Sequence, residues 1–185
     1  QAKPEDEFDA SFVYGPEAGN ADIVARSVAP LLKKFIEGYN VTVVTFGATG
    51  AGKTHTLEGT RARDAMRGAS TDGDGVVHLA AGELFKLLNQ KAVAVGDVIA
   101  QRRRMPSAKA FDFFLETSFV EVHNEGVHDL YQRSAAVRAT LPVYEDEMEG
   151  YQVSGLTYRL AKNEGEVCTA FNGGGAPRGA QMTDP

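Results

Sequence analysis

The spacing of apolar residues predicts three amphipathic helices. In residues 22–37 apolar side chains recur every three or four positions, and the same spacing returns in residues 78–88 and 163–172. Pro30 falls inside the first helix, where a proline interrupts the hydrogen-bond ladder, so we expect a kink there. Gly38 follows that helix at the position of a C-terminal cap.

Runs of β-branched and aromatic residues predict strands between these helices. Residues 8–14 alternate apolar and polar side chains, whereas residues 41–46 and 111–122 are more continuously apolar. Shorter runs at 141–144 and 151–153 flank an acidic stretch, which predicts a hairpin with an acidic tip. Helices that alternate with strands indicate an α/β domain.

Composition narrows the class of protein. The chain has 185 residues, of which 43% are hydrophobic and 24% charged, as in one soluble globular domain. A net charge of −6 argues against general nucleic-acid binding. Cys168 is the single cysteine, so no internal disulfide forms and a reducing compartment is expected. No apolar run has transmembrane length, so we predict no membrane segment and a place in the cytoplasm or on the cytoskeleton.

A complete phosphate-loop motif, G-x-x-x-x-G-K-[ST], follows residues 41–46 directly. Its glycines let the backbone turn successive N–H groups around an anion. The lysine can place its ammonium beside the outer phosphates, the threonine hydroxyl can ligate Mg²⁺, and a helix beginning there directs its N-terminus at the phosphates. The motif comprises Gly47, Ala48, Thr49, Gly50, Ala51, Gly52, Lys53 and Thr54. The sequence therefore predicts a nucleoside triphosphate site with Mg²⁺ bound at Thr54.

The alternative is a glycine-rich turn that matches the motif by chance. Because Gly makes up about 7% of ordinary sequences, such a match is expected in about one percent of chains of this size or fewer. Open α/β sheets bind ligands at the C-terminal ends of their strands, where this loop stands. We therefore predict a three-layer α/β sandwich with a central, largely parallel sheet. No repeat or linker interrupts the chain, so residues 1–185 are predicted to form one domain.

Several segments of the chain resemble the kinesin motor domain. The segment "FGATGAGKTHT" at residues 46–56 is similar to the kinesin signature in its kinesin-8-like form, which adds His55 to the phosphate-binding set. Other likenesses follow in family order and cover nearly the whole chain: "FDASF" at 8–12, "GVV" at 75–77, "SFVEVHNE" at 118–125, "DL" at 129–130 and "VSGLT" at 153–157.

The resemblance implies a motor that binds ATP or ADP with Mg²⁺ and moves along microtubules. In the family the hairpin at residues 144–152 faces tubulin, which would place Glu145, Asp146 and Glu149 at that surface. Glu149 stands where the family often has a basic residue. Because tubulin is acidic, we expect the hairpin by itself to bind microtubules poorly.

Other family features are not found within the 185 residues. These are the two switch motifs, "NxxSSRSH" and "DLAGSE", and the first strand with its "RxRP" adenine platform, while Val24 replaces an adenine-stacking tyrosine. We therefore expect an incomplete motor domain, its N-terminal part, with weakened nucleotide affinity and no efficient hydrolysis alone. Its strand at residues 41–46 would be completed by a further chain segment or a protein partner.

Two functions of different classes fit these patterns. The first is a kinesin motor. The second is a catalytically inert kinesin-like module of a microtubule-based assembly such as a ciliary axoneme. A phosphate-loop kinase or small GTPase would need base-recognition or lid motifs that the sequence lacks. The presence of both switch motifs in the full-length protein would favour the motor.

Overall fold

A computed structural model describes residues 9–60, 73–103, 113–132 and 139–174. Residue 8 of the first predicted strand and residues 111–112 of the third lie outside these ranges. The chain divides into two compact units, Gln1–Leu87 and Leu88–Pro185, each of which is described by itself. None of the helices in the described ranges is both long and apolar enough to cross a membrane.

The first predicted helix forms in three consecutive parts. They are α1 (Asn20–Ile23), a π-helical turn (Val24–Val28) and α2 (Ala29–Ile36). Pro30 lies in the first turn of α2. Because proline lacks an N–H and its ring clashes with the carbonyl four residues before it, a regular α-helix is interrupted there. The helix is interrupted by the wider π-helical turn that lies just before Pro30.

The end of α2 is capped as predicted. The N–H of Gly38 donates to the carbonyl of Phe35 at 2.9 Å, and the N–H of Tyr39 donates to the carbonyl of Lys34 at 3.2 Å. These two bonds form a Schellman motif, which satisfies carbonyl groups that the helix leaves free.

The core of the first unit lies between the π-helical turn and α4 (Val76–Arg103). The sequence predicts α4 only over residues 78–88, but no proline interrupts the chain until Pro106, and the helix continues to Arg103. The residues of this core share apolar side chains and helical spacing: Val24, Val28 and Val76 are buried, with Ile23, Leu32, Leu79 and Ala80 packed around them.

Two of the predicted strands do not form in this structure. Neither residues 9–14 nor residues 41–46 are assigned to a strand. Val44 is 73% exposed and Phe46 is 97% exposed. A strand requires a neighbour to which it can hydrogen-bond, and the described residues provide none for these segments.

The second unit contains three antiparallel strand pairs. One of them is the predicted acidic hairpin. Of their strands, β3 and β6 are not predicted by the sequence patterns. The pairs are β1 (Leu115–Thr117) with β6 (Arg159–Ala161), β2 (Val120–His123) with β3 (Gly126–Asp129), and β4 (Val143–Asp146) with β5 (Gly150–Val153).

The strand predicted over residues 111–122 is divided in two at Phe119. The ring of Phe119 packs 5.2 Å from the ring of Phe171 and 6.3 Å from that of Tyr131, centroid to centroid. Its carbonyl accepts a hydrogen bond from the N–H of Leu130 at 2.8 Å. Phe119 stands opposite Leu130, so this bond continues the β2–β3 register, whereas β1 pairs with β6. The two halves of the predicted strand therefore have different partners.

The last predicted helix forms as α5 (Glu164–Gly174). Asn163 caps its start, since the Asn163 Oδ1 accepts from the N–H of Glu166 at 3.0 Å. The carboxylate of Glu166 accepts in turn from the Asn163 amide at 3.1 Å and from the N–H of Lys162 at 2.8 Å. These reciprocal bonds satisfy N–H groups at the end of the helix.

Candidate nucleotide-binding site

Residues 47–54 form a loop that leads into α3 (Lys53–Glu58). Gly50 and Gly52 have φ angles of 84° and 88°, in the left-handed region. A Cβ at either position would meet no atom within 4 Å, so the backbone conformation, and not packing, requires glycine there. Gly52 directly precedes α3, so its left-handed turn sets where the free N–H groups of the first helical turn lie.

The side chain of Lys53 folds back across this loop. Its Nζ donates to the carbonyl oxygen of Gly47 at 2.7 Å and to that of Ala48 at 2.8 Å. These acceptors are neutral, so the positive charge of Lys53 is not compensated by them. The charge is therefore available to an anion held by the N–H groups of the loop.

Thr54 and His55 follow Lys53 in the first turn of α3, and both are exposed. The Thr54 hydroxyl is of the type that ligates Mg²⁺ in phosphate loops. Within the described part of the chain no three His, Cys, Asp or Glu side chains come together as a metal site. Mg²⁺ is commonly held by one or two protein oxygens with phosphates and water, an arrangement that a single hydroxyl fits.

The C-terminal end of α3 is held against residues 73–75. Gly59 forms an isolated antiparallel bridge with Asp74, and the N–H of Thr60 donates to the carbonyl of Gly73 at 2.8 Å. A Cβ on Gly59 would collide with the carbonyl oxygen of Gly73 and the nitrogen of Gly75. The two backbones can approach this closely because Gly59 has no side chain.

Asn20 connects α1 to both of these segments. Its side-chain Nδ2 donates to the carbonyl of His55 at 3.2 Å and to that of Asp74 at 3.0 Å. The N-cap of α1 is Gly19, whose N–H donates to the Oδ2 of Asp22, the third residue of the helix, at 3.0 Å. The sequence gives no signal for the contacts of Asn20, because both acceptors are backbone carbonyls.

Val24 does not offer a surface for a nucleotide base. It is 6% exposed and belongs to the core of the first unit. Its side chain packs with Val28 and Val76. The position at which the family has an adenine-stacking tyrosine therefore contributes to packing in this chain.

The predicted tubulin-facing residues lie on the β4–β5 hairpin, in the second unit. Glu145 and Glu149 are exposed, whereas Asp146 is half-buried. The Asp146 Oδ1 accepts from the N–H groups of Met148 and Glu149, each at 2.9 Å. The bonds from Glu149 and Met148 lower the pKa of Asp146 below 3.8. Asp146 thus shapes the tip, and the other two carboxylates are presented to solvent.

A loop of this sequence that ends in a lysine and threonine at the start of a helix is the motif of the phosphate-loop nucleotide-binding proteins. The family model of the kinesin motor domain matches residues 1–184. The chain belongs to the kinesin motor domain family.

Individual proteins to which the chain is similar are also kinesins. The chain is 31% identical to the kinesin-like protein KIF18A of Mus musculus over 177 residues, which cover 96% of the chain and 16% of the relative. It is 29% identical to the chromosome-associated kinesin KIF4 of Xenopus laevis over 181 residues, 97% of the chain and 13% of the relative. The chain thus spans less than a fifth of the length of these curated relatives.

The fold class is confirmed by a solved structure of a fast kinesin. The two share 27% sequence identity and superpose with a TM-score of 0.69, over 90% of this chain and 40% of the other. This match shows the predicted α/β fold of the phosphate-loop NTPases, in incomplete form. The strand pairs within the described residues are all antiparallel, so the parallel central sheet is supported by the match and not by those pairs.

Proposed function

We propose that this chain is the nucleotide-binding part of a kinesin motor that binds ATP and ADP with Mg²⁺ and acts on microtubules. The observation that carries the proposal is the loop at residues 47–54, in which left-handed Gly50 and Gly52 lead into α3 and Lys53 lies across the loop. Membership of the kinesin family supports ATP as the nucleotide.

Each residue of the loop has a separate task in this proposal. Backbone N–H groups of residues 47–52 hold the phosphates. Lys53 exchanges the carbonyls of Gly47 and Ala48 for phosphate oxygens, and such charge-assisted hydrogen bonds are about twice as strong as neutral ones. Thr54 would hold Mg²⁺, which supplies charge neutralisation of the phosphates when bound. His55 follows Lys53 and Thr54 in the first turn of α3 and is the last residue of the proposed phosphate-binding set.

The proposed protein partner is the microtubule, approached by the β4–β5 hairpin. Glu145 and Glu149 are exposed there, and their charge opposes a close approach to acidic tubulin. A place on the cytoskeleton follows from this proposal. Location in a ciliary axoneme stays a prediction.

A second proposed partner is the segment that completes the sheet. Residues 41–46 precede the loop, carry the exposed apolar side chains of Val44 and Phe46, and pair with no strand in the described residues. Exposed apolar surface of this kind is stabilised when another element covers it. We propose that further polypeptide, from the full-length protein or from a partner protein, pairs with residues 41–46.

Microtubule-stimulated ATP turnover by the full-length protein tests the proposal. The variants are Lys53→Ala and, as a matched control, Lys33→Ala, which removes an exposed lysine of α2. We expect microtubules to increase ATP turnover equally in wild type and Lys33→Ala. The turnover rate of Lys53→Ala should be lower than that of wild type by about a hundredfold or more. Turnover that survives Lys53→Ala would contradict the proposal.

The alternative function gives a different result in the same assay. A catalytically inert kinesin-like module would bind the nucleotide and the microtubule, but it would show no stimulated turnover in the wild type. Nucleotide binding by Lys33→Ala and wild type, without turnover in either, would therefore favour the structural module.

A further inference from the structure

The side chain of Asn20 joins three segments that are distant in the sequence. A side-chain amide has two N–H donors, and here both point to backbone carbonyls. One donates to His55, 35 residues away, and the other donates to Asp74, 54 residues away. His55 belongs to α3, and Asp74 belongs to the segment that pairs with the end of α3.

The contacts of α3 with residues 73–75 make this connection rigid. Gly59, which follows α3, pairs with Asp74, and Thr60 is bonded to Gly73. Residues 73–75 are therefore fixed to one end of α3, and Asn20 links both elements to α1. The three segments form a closed set of contacts around a single side chain.

The short length of α3 transmits this restraint to the phosphate-binding residues. The helix has six residues and is about 9 Å long at ~1.5 Å per residue. His55 is one residue from Thr54 and two from Lys53. A helix that turned away from α1 would therefore move the Lys53 ammonium and the Thr54 hydroxyl away from the loop.

We infer that Asn20 is a positioning residue, which holds α3 in the orientation that binds the phosphates of a nucleotide. The inference rests on the proposed binding of nucleotide by residues 47–54. Without the two bonds, α3 occupies the binding orientation for only a fraction of the time. The apparent Kd then rises by the inverse of that fraction.

Asn20→Asp is the most informative variant. It keeps the size of the side chain but replaces Nδ2 and its two N–H donors with one carboxylate oxygen, which faces the carbonyls of His55 and Asp74. An acidic residue in the first turn of α1 is favourable to that helix, so weaker binding would not arise from a weaker α1. Ala21→Asp is the matched control, because it adds the same charge to the same turn at an exposed position.

The test measures the Kd for MgATP and the melting temperature of the full-length protein. We expect Asn20→Asp to raise the Kd about tenfold, corresponding to a competent fraction of about one tenth. Asn20→Gln retains both donors, so it should bind more tightly than Asn20→Asp, and Ala21→Asp should stay within about twofold of wild type. Amide exchange at Thr56 and Gly59 without nucleotide should be faster in Asn20→Asp, since both N–H groups bond within this region.

The outcomes separate this inference from the proposed function. If wild type binds MgATP and Lys53→Ala abolishes binding, but Asn20→Asp binds within twofold of wild type, the positioning inference alone is overturned. A lower melting temperature in Asn20→Asp with an unchanged Kd also overturns it, because Asn20 then serves stability only. If wild type does not bind MgATP, the proposed function and the inference both fail.

Discussion

The ammonium of Lys53 lies 2.7 Å from the carbonyl oxygen of Gly47, so the lysine of the phosphate-loop motif is bonded to its first glycine. The loop is thus closed by its own side chain. An incoming phosphate would replace a neutral acceptor with a charged one, which strengthens the bond to the ammonium. The ammonium of Lys53 therefore already lies at the loop in this structure.

Gly52→Ala should weaken nucleotide binding. Gly52 has a φ of 88°, and a residue with a Cβ is strained there by about 1–2 kcal/mol. If the loop relieves this strain by changing its conformation, the Kd for MgATP should rise about tenfold. Gly15→Ala is the control, since a Cβ there meets nothing within 4 Å and needs no left-handed backbone. Equal Kd values for the two variants would show that the left-handed turn is not required for binding.

Asp129 connects β3 to the segment before β6. It is 4% exposed, and its carboxylate accepts from the N–H of Tyr131 at 2.8 Å and from the N–H of Thr157 at 2.9 Å. Burial raises the pKa of Asp129, but hydrogen bonds from Thr157, Tyr131 and Gln132 together lower the pKa by more, so that it lies below its ordinary value of 3.8. The charged form is the one that stabilises this unit.

The unfolding free energy should therefore depend on the ionisation of Asp129. A lowered pKa in the folded state means that the stabilisation is complete above pH 3.8 and is lost as the pH falls through the folded pKa. At about pH 7, Asp129→Asn should cost ~1–3 kcal/mol, because it removes the charge and leaves an N–H donor without an acceptor.

Denaturant unfolding of the Asp129→Asn variant at about pH 7 and about pH 3 measures both effects. The control is Glu116→Gln, which removes an exposed carboxylate from β1. Wild type and the control should lose more stability than Asp129→Asn between the two pH values. A loss of the same size in all three proteins would mean that Asp129 is not the group responsible.

Glu149→Lys should increase binding to microtubules at low salt. Glu149 is exposed at the tip of the β4–β5 hairpin, and its reversal replaces repulsion from acidic tubulin with attraction. Co-sedimentation of the full-length protein measures the change, which should diminish as salt is added. Glu17→Lys makes the same charge change at an exposed residue of the other unit. If both reversals, or neither, alter the sedimented fraction, the hairpin does not face the microtubule.

Backbone amides of residues 41–46 should exchange slowly in the full-length protein and rapidly in residues 1–185 alone. Val44 and Phe46 are exposed here, and the segment forms no strand in the described residues. Slow exchange requires hydrogen bonds that another strand would supply. Slow exchange along residues 41–46 in a monomer of residues 1–185 would show that no further segment is needed.

Local patterns of the sequence predict several of the local elements. The hairpin of β4 and β5 and the helices α2 and α5 each follow from spacing, caps and turn residues that lie close together in the chain. The motif also predicts the glycine-rich turn at residues 47–52 and the helix that begins at Lys53, whereas phosphate binding by this loop stays a prediction.

The sequence patterns do not predict β3, because the turn before it has no glycine: Asn124 and Glu125 adopt φ angles of 47° and 62°. Features that depend on contacts between distant segments are not predicted either. The predicted strand divides because β1 pairs with β6, far along the chain, while β2 pairs with its neighbour β3. Asn20 contacts the backbone carbonyls of His55 and Asp74, and every residue type has such a carbonyl, so the sequence does not indicate these contacts.

The most direct test of nucleotide binding by the loop is a calorimetric titration of the full-length protein with MgATP, comparing wild type, Lys53→Ala and Lys33→Ala. We expect Lys33→Ala to bind as wild type does. Lys53→Ala should bind about 10- to 100-fold more weakly, because it loses a charge-assisted hydrogen bond to phosphate. If Lys53→Ala binds MgATP as tightly as wild type, the loop at residues 47–54 is not the nucleotide site.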